Sequence, residues 1–253
     1  TVRRLRSKHQ AWAVISNGKP ATGRREYPVT GKLYIVATPI GNPADFSERA
    51  LTVLREVKLV AVEDTRHSGR LFNACSINTP MLSCHDYNET ERIELLLGKV
   101  AAGDDIALVS DAGTPLVSDP GFQLVRQAHA RGITVVPVPG PSAVIAALCS
   151  AGLPTDRFVF EGFLPHKKGR QTRWKAIAEE ERTTVLYESP HRLVKALEQM
   201  VEFVSPDRAV MVARELSKMH EQMVRGTTSE VLAFFNAHPD KVRGEIVIVI
   251  AGK

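Results

Sequence analysis

The chain is predicted to fold as an α/β protein with two α/β lobes and a ligand cleft between them. Three observations predict the two lobes. Short apolar runs alternate with helix-patterned segments along most of the 253 residues. The alternation pauses at Leu153-Pro154-Thr155-Asp156-Arg157 and then restarts. Four apolar runs of the first half end in loops of glycine, proline, hydroxyl or charged residues. Such alternation stacks helices on a parallel or mixed sheet. The length suits one large domain or two small ones. Residues 1–30 therefore read as an extension, 31–152 as an N-terminal lobe and 153–253 as a C-terminal lobe.

The elements follow in order. Leu33–Ala37 is a short apolar run that ends in the turn Thr38-Pro39-Ile40-Gly41-Asn42-Pro43. Asp45 is expected to cap a helix, with Glu48 completing a capping box and Ala50, Leu51, Leu54 and Val57 at helical spacing. Leu59–Val62 is a strand that ends at Glu63-Asp64-Thr65-Arg66. A long helix is expected to start at Asn88, run through Ile93, Leu96, Leu97 and Val100, and stop at Gly103. Ile106–Val109 is a buried strand leading into the loop Ser110–Pro120. Gly121–Arg131 reads as a helix, Ile133–Val138 as a strand, and Pro139-Gly140-Pro141-Ser142 as the opening of an Ala-rich helix. In the second half Phe158–Phe160, Thr184–Tyr187, Ala209–Ala213, Met223–Arg225 and Ile246–Ile250 read as strands. Helices are expected at Gln171–Glu181, His191–Val204 and Ser229–His238.

Charge is unevenly spread. The net charge is +5, yet residues 1–30 carry +6 and the remaining 223 carry −1. Overall basicity therefore argues for nucleic acid only through local patches in the body. The first 30 residues lack apolar periodicity and read as flexible: an RNA-grasping arm, a targeting peptide or a start-site extension. No apolar run is long enough to span a membrane. Cys75, Cys84 and Cys149 form no CxxC pair, which fits reduced thiols in the cytoplasm.

Four glycine- or proline-bearing loops on one sheet edge make a pocket, because open α/β sheets bind ligands at the carboxyl ends of their strands. There is no GxGxxG after the first strand and no GxxxxGK[ST], so a dinucleotide or nucleoside triphosphate is poorly supported. Backbone groups, hydroxyls and few cations suit a ligand with an adenine, a ribose and a zwitterionic tail. S-adenosylmethionine is one such ligand. His85-Asp86 and Cys84 have no second ligand pair at useful spacing, so no metal is expected.

Several long blocks carry a specific resemblance. They are LYIVATPIGNPADFSERAL (33–51), AVEDTRHS (61–68), LVSDAGTPLVSDPG (108–121), VVPVPGPSA (135–143), FEGFLPHKKGR (160–170), YESPHRL (187–193), ARELSK (213–218) and GEIVIVI (244–250). In order, over about residues 32–252, they resemble the ribosomal small-subunit methyltransferase I group of the tetrapyrrole methylase-like, class III methyltransferases. The resemblance implies S-adenosylmethionine in the cleft, a homodimer, and methylation of a cytidine ribose 2′-hydroxyl in the decoding centre of 16S rRNA. The substrate would be the rRNA or the small ribosomal subunit. By matching blocks, cofactor contacts are expected from Pro39, Gly41, Asp111, Ala112, Gly113, Thr114, Pro139, Gly140, Ser142 and Tyr187. The group is also described with a helical segment after the last strand, which the resemblance does not reach in a chain ending at Lys253.

A ribose hydroxyl is a weak nucleophile, so a base or a nearby cation would help. The candidates are Asp64, Arg66, Asp111, Glu188, His191 and Arg192. Glu188 reads equally well as an acceptor for helix N-terminal amides and His191 as a surface residue, and the pattern identifies no base. For RNA, the acid-free run containing Lys167, Lys168, Arg170, Arg173 and Trp174 offers phosphate contacts and a stacking ring. The other reading turns Trp174 into the core. The rival functions are a methyltransferase acting on a tetrapyrrole or other small molecule, and a non-catalytic ribosome-binding protein.

Overall fold

The computed structural model describes residues 31–84 and 89–253. The basic N-terminal segment, the expected helix start at Asn88 and the His85-Asp86 pair lie outside the described residues.

The first lobe is a parallel sheet of β1 (Lys32–Val36), β2 (Leu59–Val62), β3 (Met81–Ser83), β4 (Ile106–Leu108) and β5 (Thr134–Val138), in the order β3-β2-β4-β1-β5. Helices α1 (Glu48–Glu56), α2 (Thr65–Ala74), α3 (Glu89–Ala101) and α4 (Phe122–Ala130) cover both faces. The period-two geometry of a strand explains how. In β1, Leu33 and Ile35 face the α3/α4 side, while Tyr34 and Val36 face the α1/α2 side.

The second lobe is a mixed sheet of β6 (Phe158–Phe163), β7 (Thr183–Glu188), β8 (Ala209–Arg214), β9 (Gln222–Thr227) and β10 (Ile246–Ile250), in the order β6-β7-β10-β8-β9. β6 and β7 are parallel, and the other pairings are antiparallel. Every residue of the central strand β10 is buried, as its unbroken Ile/Val run requires. Helices α6 (Arg170–Glu179), α7 (Pro190–Phe203) and α8 (Thr228–Ala237) cover one face.

The opposite face is covered from the first lobe. Helix α5 (Ala143–Ala151) follows β5 in the chain but sets Val144, Ala147, Leu148 and Ala151 against Val185, Met211, Val247 and Val249. Ile40, from the loop after β1, joins the same cluster. The lobes therefore share a hydrophobic core.

Local expectations differ from the structure in three places. Asp45 is not the cap of α1. It closes a short 3-10 turn, Pro43–Asp45, that Asn42 caps, and Ser47 caps α1 by accepting from the amide of Ala50. The Asp45 carboxylate instead accepts from the Ser217 hydroxyl of the second lobe. Helix α2 was not expected: Asp64 caps it by accepting from the Arg66 amide at 2.8 Å. Strand β3 is too short for its three residues to show a period, and it lies at the sheet edge.

Leu148→Ala is expected to cost about 2–5 kcal/mol, since it empties a buried site in the shared core. Urea unfolding should show this as one earlier transition, not as separate melting of two lobes.

Candidate functional site between the lobes

The loop after β4 occupies the centre of the first sheet's carboxyl edge, because β4 lies between β2 and β1. Each neighbouring loop holds it. Gly113 and Thr38 exchange two backbone hydrogen bonds, of 2.8 and 3.1 Å, with the loop after β1. The Asp64 amide donates to Asp111 Oδ1 at 3.3 Å. The Thr114 hydroxyl donates to the Pro141 carbonyl at 3.0 Å, in the loop after β5. Leu116 and Ser118 have φ of +72° and +68°, a costly conformation for residues with a Cβ.

This loop forms one wall of a cavity of about 460 Å³ between the lobes. The first lobe contributes Ile40, Glu63, Asp111, Ala112, Gly113, Thr114, Val117, Ser118, Asp119, Ser142 and Ala143. The second contributes Phe163, Tyr187, Glu188, Ser189, Pro190, Leu216, Gly244, Glu245, Ile246 and Val247. The size is that of a site for a small organic ligand. Its walls combine aliphatic side chains with carboxylates and hydroxyls, and none of these lining residues is Lys, Arg or His.

The carboxylates differ in their partners. Glu188 is fully buried, and its Oε2 accepts from Arg170 at 2.8 Å. Its Oε1 accepts from the Ser189 amide at 2.8 Å and lies 2.8 Å from Arg192 Nε. Glu245 pairs with Lys218 at 3.1 Å. Asp111 and Asp119 instead face an amide and the Ser110 hydroxyl. Burial, and then the charge of Asp111, push the Asp119 carboxyl above its ordinary range, although Ser110 opposes the shift. Tyr187 is pushed up to about 12 by burial and by the charges of Asp119 and Glu245, so its phenol stays neutral at pH 7.

Sequence-derived candidates fall into distinct places. Asp111, Ala112, Gly113, Thr114, Ser142 and Tyr187 line the cavity together. Pro39, Gly41, Pro139 and Gly140 are not among its lining residues. Gly41 leaves room for Lys218, whose side chain lies where a Cβ would be. A Cβ on Gly140 would sit 2.9 Å from that of Ala37, so this glycine serves strand-end packing and borders a second cavity beside α5.

The catalytic candidates disperse. Glu188 lines the cavity, and its oxygens are engaged by Arg170, Arg192 and the Ser189 amide, which gives it a structural role at this wall. Asp64 and Arg66 pair with each other at the surface at 2.9 Å, which holds Asp64 down at about 2. His191 is exposed, and its amide donates to Ser189 Oγ. Arg192 is partnered by Glu188.

Two RNA candidates are corrected by burial. Trp174 is 0% exposed and donates Nε1–H to Gln199 at 3.0 Å, so it cannot stack on a base. Arg170 is 4% exposed and spends its charge on Glu188, so it is not a phosphate ligand. Lys167, Lys168 and Arg173 are exposed. Sequence reasoning missed Asp119, Phe163, Leu216, Gly244 and Glu245. The available signal was the set of family blocks: GEIVIVI, whose first four residues line the cavity, and the blocks that contain Asp119, Phe163 and Leu216.

Among the described residues, no group of His, Cys, Asp and Glu is placed to hold a metal, and no helix is long and apolar enough to cross a membrane.

Two α/β lobes closed on an acid-lined cleft define a class of small-ligand-binding fold. Residues 32–232 match the family of tetrapyrrole (corrin/porphyrin) methylases, and the chain belongs to that family of methyltransferases. Over 223 residues it is 53% identical to a Pseudomonas aeruginosa protein named ribosomal RNA small subunit methyltransferase I, covering 88% of this chain and 79% of that one. A Thermotoga maritima protein of the same name is 44% identical, with 88% and 99% covered. Among solved structures, a cobalt precorrin-4 methyltransferase has a TM-score of 0.65 at 19% identity, with 87% of this chain and 94% of that one covered. A Thermus thermophilus uroporphyrin-III C-methyltransferase complexed with S-adenosylhomocysteine has a TM-score of 0.60 at 20% identity, with 87% and 97% covered. Those two structures share the fold.

Two outcomes test the site. Glu188→Ala should cost about 3–5 kcal/mol in denaturant unfolding at pH 7, since it leaves buried guanidinium charge unpaired. Asp119→Asn should raise the melting temperature at pH 7. A carboxyl whose pKa is raised by folding stabilises the fold below its unfolded pKa and loses that contribution as pH rises through the folded value. The gain should therefore vanish below about pH 4.

Proposed function

We propose that the chain transfers a methyl group from S-adenosylmethionine to RNA of the small ribosomal subunit. The finer assignment is the ribose 2′-hydroxyl of a cytidine in the decoding centre of 16S rRNA. A cytoplasmic homodimer is part of the same proposal.

The observation that carries the reading is the cavity lined by carboxylates without a cation. Such a lining repels phosphate groups and attracts a positively charged ligand. S-adenosylmethionine carries its charge on a sulfonium, and the residues present fit it. Asp111 and Asp119 supply negative potential, Gly113 and Thr114 supply backbone and hydroxyl groups, and Ile40, Val117, Leu216 and Val247 supply apolar walls. When bound, it supplies an electrophilic methyl group. The chain's own contribution is to hold the acceptor in line, exclude water and keep competing charge away. The RNA half of the reading is supported by relatives 44–53% identical over most of the chain, all named for small-subunit ribosomal RNA.

The test is methyl transfer from tritiated S-adenosylmethionine to small ribosomal subunits, free rRNA and tetrapyrroles in parallel. Label is expected in rRNA, on one cytidine ribose. Label only in a tetrapyrrole would reject the RNA assignment. Cofactor binding without any transfer would favour a non-catalytic ribosome-binding role.

A further inference from the structure

Strand β6 contains a bulge that nothing in its own sheet explains. Its register with β7 shifts between Phe160 and Gly162. Gly162 adopts φ +61°, and a Cβ there would lie 3.1 Å from the Ser118 hydroxyl of the first lobe. A bulge inserts one residue and re-aims the side chains beyond it. Here the next residue, Phe163, lines the inter-lobe cavity. It is 54% exposed, with its ring 5.4 Å from that of Tyr187. A half-bare aromatic ring beside a glycine bulge, lining the inter-lobe cavity, offers a flat apolar face to a partner.

Exposed cations follow cavity-lining residues in the chain on both lobes. On the second lobe, Lys167 and Lys168 are exposed in the loop that follows Phe163. On the first, Glu63 belongs to the cavity wall, and α2 starts just after it and carries exposed Arg70. Arg66, one turn earlier, is occupied by Asp64. The lining carries carboxylates and no cation, while these cations are exposed outside it, which disfavours a phosphate inside the cavity.

We infer that Phe163 is the stacking platform for the acceptor nucleotide's base, and that Arg70, Lys167 and Lys168 hold the phosphates on either side of it. The inference rests on the proposed RNA methyl transfer and names how that site takes its acceptor. Stacking on an aromatic side chain is tolerant of sequence and strong enough to hold a splayed base.

The experiment uses the full chain with small ribosomal subunits as acceptor. It measures S-adenosylmethionine binding by calorimetry, and kcat and KM for the subunit. Phe163→Ala should raise the subunit KM about tenfold with cofactor affinity unchanged, and Phe163→Trp should restore it. Combined Arg70→Ala, Lys167→Ala and Lys168→Ala should flatten the salt dependence of KM. Thermal melting of each variant checks folding. An unchanged KM in Phe163→Ala overturns the inference. So does a loss of cofactor affinity, because the ring would then belong to the cofactor's part of the cavity. If the wild-type protein labels cytidine and Phe163→Ala behaves like it, only this inference falls. If the wild type labels no rRNA, the proposed function falls with it.

Discussion

The cleft depends on how the loop after β4 is held. Its sister loops meet it at Thr38, at the Asp64 amide and at the Pro141 carbonyl. Without those partners the positive φ of Leu116 and Ser118 would relax, because such backbone persists only where its surroundings over-determine it. The second lobe repeats the pattern with Glu215 and Ser217, at φ +53° and +67°, in the segment facing the loop after β1. Strained backbone thus borders the cleft on both sides. Placing Asp111 and Asp119 in one wall follows from this anchoring, and so does the potential that selects a cationic ligand.

Below the opposite wall, Glu188 performs a structural task. It joins α6, through Arg170, to the start of α7, through Ser189 and Arg192. Gln199 accepts from both Arg170 and Trp174, so the network extends into the helical core. Ser189 and Pro190, which line the cavity, are positioned by these bonds.

The fold was legible where burial imposes a simple period. β10 reads as an unbroken apolar run and is buried throughout, and β7 carries β-branched and aromatic residues along a strand that is buried at all but one position. The pocket loop was legible because glycine and proline at a strand end leave few alternatives. Other features depend on contacts far apart in the chain. Gly41 looks like a ligand-approach glycine until Lys218 is seen above it. Arg170 and Trp174 look like an RNA patch because the run around them is basic. Yet Arg170, Trp174 and Ile177 recur at helical spacing and are all buried, a stripe that local charge concealed. Phe163 lay in a block that carries the family resemblance, but its direction is set by a bulge that only strand pairing reveals.

Helix α5 has a further consequence. By chain order it closes the first lobe, but by packing it is a layer of the second. A hinge that parts the lobes can therefore leave Val144, Ala147 and Leu148 on Val185, Met211 and Val247 and bend in the Pro139–Ser142 loop. The buried apolar side chain that such a motion withdraws from the second lobe is Ile40, from the loop after β1. The cost of opening the cleft is then separable by mutation from the packing that stabilises each sheet.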